Sequence, residues 1–166
     1  MQHKLAEKPP DAQNPWLLED AALNGYTCVI YMIRKMSALD SHSPEPITTD
    51  SDIPNSPLAL KAARIIVGII AGLVDRYPVS ATVSGTFGIY RAYVSIAYVV
   101  RCLLNAPDLT PYDVDIERMI LIEDALGRIV RTDKDFMPLA RAVQGLNMEV
   151  TRKMSEMPHS KNAPTT

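Results

Sequence analysis

Apolar positions along this chain recur at helical spacing. Leu23, Tyr26, Ile30 and Ile33 step by four and three, the period of one helix face, and Asn14-Pro15-Trp16 has the cap-then-proline order of a helix start. A first helix is predicted from about Trp16 to Leu39. The segment 41–56, SHSPEPITTDSDIPNS, is dense in Ser, Thr, Asp and Pro with almost nothing to bury, which predicts a flexible loop. Ser56-Pro57 repeats the start signal, and the helix it opens is predicted to end at Tyr77-Pro78, where proline forbids continuation.

That second helix contains the most apolar run in the chain, Arg64 to Asp75, RIIVGIIAGLVD. Leu58, Ala62, Ile65, Ile66, Ile69, Ile70 and Leu73 cover more than one of its faces, the pattern of a helix surrounded by others. Bounded by Arg64 and Asp75, the run reads as too short for a bilayer and is expected to be a core helix. Gly68 and Gly72 fall one turn apart on one face and are expected to admit a close neighbour, most plausibly the next helix.

That next helix is predicted from about Ser84 to Leu104 on Ile89, Val94, Ala97, Tyr98 and Val100 to Leu104. Its β-branched and aromatic content leaves a strand pair as the alternative. Thr110-Pro-Tyr-Asp113 reads as a capping box, opening a helix to about Arg131 with the stripe Ile116, Met119, Ile122, Leu126, Ile129. The last helix starts near Asp135, the expected cap, and carries Leu139, Val143, Leu146, Val150, Met154 and Met157. The expectation is an all-α bundle of about five helices around a central apolar one. It forms a single domain over 14–157, with 1–13 and 158–166 disordered by composition.

Composition narrows the function. A chain of 166 residues with 47% hydrophobic and 22% charged positions suffices for one core. A net charge of -2 supplies no basic field for nucleic acid, so direct nucleic-acid binding is not expected. Cys28 and Cys102, far apart and away from histidine, imply neither a disulfide framework nor a zinc site, and are expected to be small buried thiols. The polar N-terminus has no apolar stretch of the secretory kind, so an intracellular setting is expected.

Catalytic chemistry finds little purchase. Asp113, Asp115 and Glu117 suggest a calcium loop, but the sixth and twelfth places hold Arg118 and Asp124 instead of Gly and Glu. These acids read instead as favourable charges at a helix N-terminus. His3, His42 and His159 all fall in segments read as loop or tail, which removes histidine-dependent schemes, and no cofactor is implied. Arg91 lies among Tyr90, Tyr93 and Tyr98 in an apolar stretch. Such a charge must find a carboxylate, with Asp75 and Glu123 as candidates, or reach water. The alternative is an anion pocket formed by Arg91 with a tyrosine.

The segment from Ser56 to Asp108, beginning SPLALKAARIIVGIIAGLVDRYP, followed by DFMPLARAVQGLNMEV, resembles the C-terminal part of the regulatory, or middle homology, region of fungal zinc-cluster transcription factors. The residues that carry the likeness are Ala62-Ala63-Arg64-Ile65, Tyr77-Pro78, Ile89 to Leu104, and Leu139, Arg141, Ala142, Leu146 and Asn147. The resemblance implies an all-helical, non-enzymatic regulatory domain that makes protein contacts or self-associates, takes a small-molecule effector in some settings, and is nuclear if part of a transcription factor. The family's six-cysteine cluster is absent from this sequence. Two rivals stand beside this reading: a ligand-binding or enzymatic bundle with its site near Arg91, and an oligomerisation scaffold.

Overall fold

Ser56 has extended backbone and its hydroxyl accepts from the Ala59 N–H at 3.4 Å, while Pro57 takes the first helical turn; cap and proline together start the helix on which the bundle is built. The computed structural model describes residues 15–40, 53, 55–87 and 91–156. Within them the chain forms six α-helices: α1 Pro15–Asp40, α2 Pro57–Arg76, α3 Ser80–Phe87, α4 Arg91–Asn105, α5 Asp113–Val130 and α6 Met137–Glu156. Single 3-10 turns at Thr110–Tyr112 and Lys134–Phe136 lead into α5 and α6. The described residues contain no strand, so the strand-pair alternative is not realised.

The expected central helix is α2. It packs against α1, α4 and α5, and Ala59, Ala62, Ala63, Ile66, Val67, Ile70, Ala71, Leu73 and Val74 are all buried. Leu58, grouped with these by periodicity, is exposed. The apolar run is also longer than its charged ends suggest: α2 as a whole is long and apolar enough to cross a bilayer by length and composition. Here half of its apolar window is buried inside the bundle. The inner faces of the other helices follow the predicted stripes, with Leu23 and Ile30 of α1, Met119, Ile122, Leu126 and Ile129 of α5, and Val143 and Val150 of α6 buried. Met154 is exposed, and Met157 lies outside the described residues.

Several expectations need correction. The third helix is two helices, α3 and α4, with the break at 88–90 outside the described residues. Two glycines, Gly85 and Gly88, stand four positions or fewer from that break and weaken helix there. The buried Thr86 hydroxyl donates back to the Thr82 carbonyl at 2.8 Å, a bond of the kind that bends helices. The capping box at Thr110 does not form. Asp108 instead accepts from the Thr110 N–H at 3.0 Å and hydroxyl at 2.9 Å. Asp133, not Asp135, is the cap before α6, accepting from the Asp135 N–H at 3.2 Å. Cys28 is exposed and Cys102 only half-buried. Ile53, from the segment read as having nothing to bury, is 1% exposed and belongs to the core; its carbonyl accepts from Arg101. Asn14 and residues 1–13, 41–52 and 158–166, on which the cap, tail and loop expectations fall, lie outside the described residues.

Two polar ties fix α6. The buried Asn147 amide donates to the Met119 carbonyl at 3.1 Å and to Glu123 at 2.6 Å, pinning α6 to α5. Lys153 reaches the end of α4 and donates to the carbonyls of Leu103 at 2.9 Å, Leu104 at 2.8 Å and Ala106. The Leu103 carbonyl also accepts from the Ala106 N–H at 3.2 Å, but the last carbonyls of a helix are short of internal partners, and a cation there also suits the helix dipole. Lys153→Met, which keeps the stem and removes the donor, is expected to lower the unfolding free energy by about 2 kcal/mol. Urea denaturation followed by circular dichroism checks it; an unchanged midpoint would show that the clamp contributes nothing.

Candidate functional site: a cationic groove beside an apolar helix face

Gly68 and Gly72 form the floor of an open groove of about 700 Å³ lined from α1, α2 and α5. Lacking side chains, the two glycines leave a trough where other residues would fill the space. Its walls carry Leu60, Ile65 and Ile69 on the apolar side, and Lys61, Arg64, Arg76 and Arg118 on the charged side, with Glu19 contributed by α1. The close neighbour of Gly68 is a guanidinium: a Cβ added there would stand 3.1 Å from Arg118 Cζ. At Gly72, among the described residues and apart from the nearby backbone of α2, the nearest atom to an added Cβ is Arg76 Nη2, at 3.7 Å. The neighbour at the glycines is therefore not the helix over 84–104. α4 packs on α2 through other positions.

The charges of the groove are partly matched. Arg76 pairs with Glu19 and its Nε donates to the Gly72 carbonyl at 2.9 Å. Arg64 Nε lies 2.7 Å from Asp115 Oδ2, an ion pair by proximity in which the N–H is not aimed at that oxygen. Its Nη2 donates to the Pro111 carbonyl at 3.2 Å, and its guanidinium stacks over Tyr112 at 4.7 Å, a cation–π contact. Arg118 and Lys61 have neither hydrogen bond nor ion pair among the described residues. Asp115 is 3% exposed. Burial pushes its carboxyl above the usual range, outweighing the opposing pull of Arg64 and Arg118. The expectation of an acid at a helix start is met, since Asp115 sits in the first turn of α5, but it is buried against Arg64.

Beyond Arg64 and Leu60, which also line it, lies a second recess of about 700 Å³ bordered by Ile53, Arg101, Cys102 and Tyr112. Burial pushes the Cys102 thiol up, against the opposing effect of a hydrogen bond with Tyr98. Among the described residues no group of three His, Cys, Asp or Glu could hold a metal ion.

Tyr90 and the Arg91 side chain lie outside the described residues. Tyr93 is half-buried. Tyr98 is 1% exposed and its hydroxyl accepts from the Ser56 N–H at 3.3 Å, while its ring faces Arg101 at 4.9 Å. Asp75 is exposed at the end of α2, 3.9 Å from Arg128, and Glu123 is engaged by Asn147.

A second surface stands out. Leu17, Leu18, Tyr31, Met32 and Met36 of α1 are exposed by 67, 71, 58, 61 and 62%. Ala21, Gly25 and Cys28, interleaved with them, are exposed as well. Periodicity selected only the inner face of α1; the outer one was legible in the same residues as a second apolar register. Comparison with known protein families, curated proteins and solved structures finds no match for this chain.

Two outcomes are expected. Gly72→Ala should raise the unfolding free energy by up to about 1 kcal/mol, because a helical glycine is replaced where space is open; a loss of stability on thermal melting would mean that the trough floor is closed. In a carboxyl-detected NMR titration Asp115 should protonate above Asp108, whose carboxyl is held low by the Thr110 N–H and hydroxyl. Since the folded state then binds the Asp115 proton more tightly than the unfolded state, stability should fall as pH rises from the ordinary carboxylate range through the Asp115 midpoint. Asp115→Asn should abolish that component.

Proposed function

We propose that this chain is a regulatory and protein-interaction domain, non-enzymatic, of the kind implied by its resemblance to the fungal zinc-cluster regulatory region, and that it acts by pairing with a second copy through the outer face of α1. The observation that carries this reading is the exposed apolar face of that helix. At helical spacing Leu17, Ala21, Gly25, Cys28, Met32 and Met36 share an arc of about 100°, while Leu23 and Ile30 on the opposite side are buried in the bundle. A helix apolar on both sides is one meant to be covered on both.

The pattern supports a two-fold, antiparallel mate. Laid against itself with the axis between Gly25 and Cys28, α1 sets Leu17 against Met36, Ala21 against Met32, and Gly25 against Cys28 of the second copy. Large residues meet at the ends and small ones in the middle, where the helices approach. Among the described residues, apart from the nearby backbone of α1, nothing lies within 4 Å of the Cβ that Gly25 lacks. Self-complementarity of this kind is what an isologous contact requires.

Sedimentation equilibrium should show a dimer at micromolar concentration that Met32→Glu converts to a monomer of unchanged helicity. In this geometry the two Cys28 Cα atoms lie within disulfide range of about 4.4–6.8 Å. Mild oxidation of a Cys102→Ser chain should therefore link two copies through Cys28. A monomer at all concentrations, with no Cys28 cross-link, would overturn the reading.

A further inference from the structure

We infer that the glycine-floored groove binds a dianionic oxyanion carried on an apolar body, a phosphate monoester of a hydrophobic group, with Arg118 and Lys61 taking the head. The inference rests on the charge arrangement of the groove and is independent of pairing through α1. Four cations line the trough. Two have acids of their own: Arg76 has Glu19, and Arg64 has Asp115. The remaining two, Arg118 and Lys61, are without hydrogen bond or ion pair among the described residues. Asp115 feels Arg118 as well as Arg64, so the four cations share two acids and an excess of two positive charges remains for a dianion.

Geometry narrows the class. Lys61 and Gly68 are seven residues apart, two turns along one face of α2, and the Arg118 guanidinium lies directly over Gly68. A planar guanidinium offers a fork of parallel donors suited to phosphate oxygens, and Lys a compact second charge. The missing side chain at Gly68 is what brings a head group near both. The same trough has Ile65 and Ile69 along its apolar wall, half-exposed in the absence of an occupant. An inorganic ion would leave them wet; an alkyl or aryl body would cover them.

Octyl phosphate, below its micelle concentration at pH 7.5 and low salt, is the probe. Titrated into the full chain and followed by amide NMR shifts, it should saturate, perturbing Lys61, Gly68 and Gly72 most. Arg118→Gln should weaken it at least tenfold while leaving the helical circular dichroism spectrum of the free protein unchanged, because Arg118 makes no hydrogen bond or ion pair among the described residues. Inorganic phosphate and octyl sulfate, which lack the body and the second charge respectively, should each bind more weakly. Vesicles of phosphatidylcholine with 20% phosphatidic acid separate the two sources of such a head. Co-sedimentation that Arg118→Gln abolishes assigns a lipid headgroup, and its absence beside octyl phosphate binding assigns a soluble monoester; either supports the site. No saturable binding of octyl phosphate, or equal binding by Arg118→Gln, overturns it.

Discussion

A single helix with more apolar surface than one neighbour can cover sets the terms for this fold. The buried residues of α2 span so much of its circumference that α1, α4 and α5 must each take a side. Removal of that surface from water is the largest favourable term available to a chain of this size. What is left uncovered is the strip carrying Lys61, Arg64, Gly68 and Gly72, and charges cannot be packed away without partners. The groove is thus the complement of the core: its floor lies where Gly68 and Gly72 leave α2 without side chains, beside the half-buried Ile65 and Ile69.

The polar contacts do a different job from the apolar ones. Hydrophobic burial is tolerant of sliding and rotation, whereas Arg64 with Asp115, Asn147 with Met119 and Glu123, and Lys153 with the end of α4 each require one register. A buried charge pair contributes little net stability against apolar replacements, yet breaking it leaves a charge stranded. Such groups penalise wrong packings more than they reward the right one, and in this bundle they join α2 to α5, α5 to α6 and α6 to α4.

Local signals made much of this architecture readable. Ser56-Pro57 and Tyr77-Pro78 bracket α2 almost to the residue, and the stripes of α5 and α6 name the buried Met119, Ile122, Leu126, Ile129, Val143 and Val150, though not the buried Asn147, and they include the exposed Met154. What escaped depends on contacts between distant residues. Nothing near Asp115 shows that it will be buried under Arg64, and nothing near Lys153 shows that its partners are carbonyls of another helix. Local competition misled as well, since Asp108 takes up the Thr110 N–H and hydroxyl and Asp133 caps in place of Asp135. The glycine pair was visible, but not its neighbour. G-x-x-x-G states that something can come close, and a guanidinium satisfies that as well as a helix does.

The Lys153 clamp also bears on the order in which the fold is completed. Leu103 precedes its donor by 50 residues, and a ribosome adding about 5–20 residues per second takes several seconds to cover that distance. Through that interval the last turn of α4 lacks the lysine donor, with the Ala106 N–H on the Leu103 carbonyl and water for the rest, and the groups it will eventually present to α6 are open to any donor nearby. The bundle is therefore closed from its far end: the final helix delivers the cation that finishes a helix made long before it.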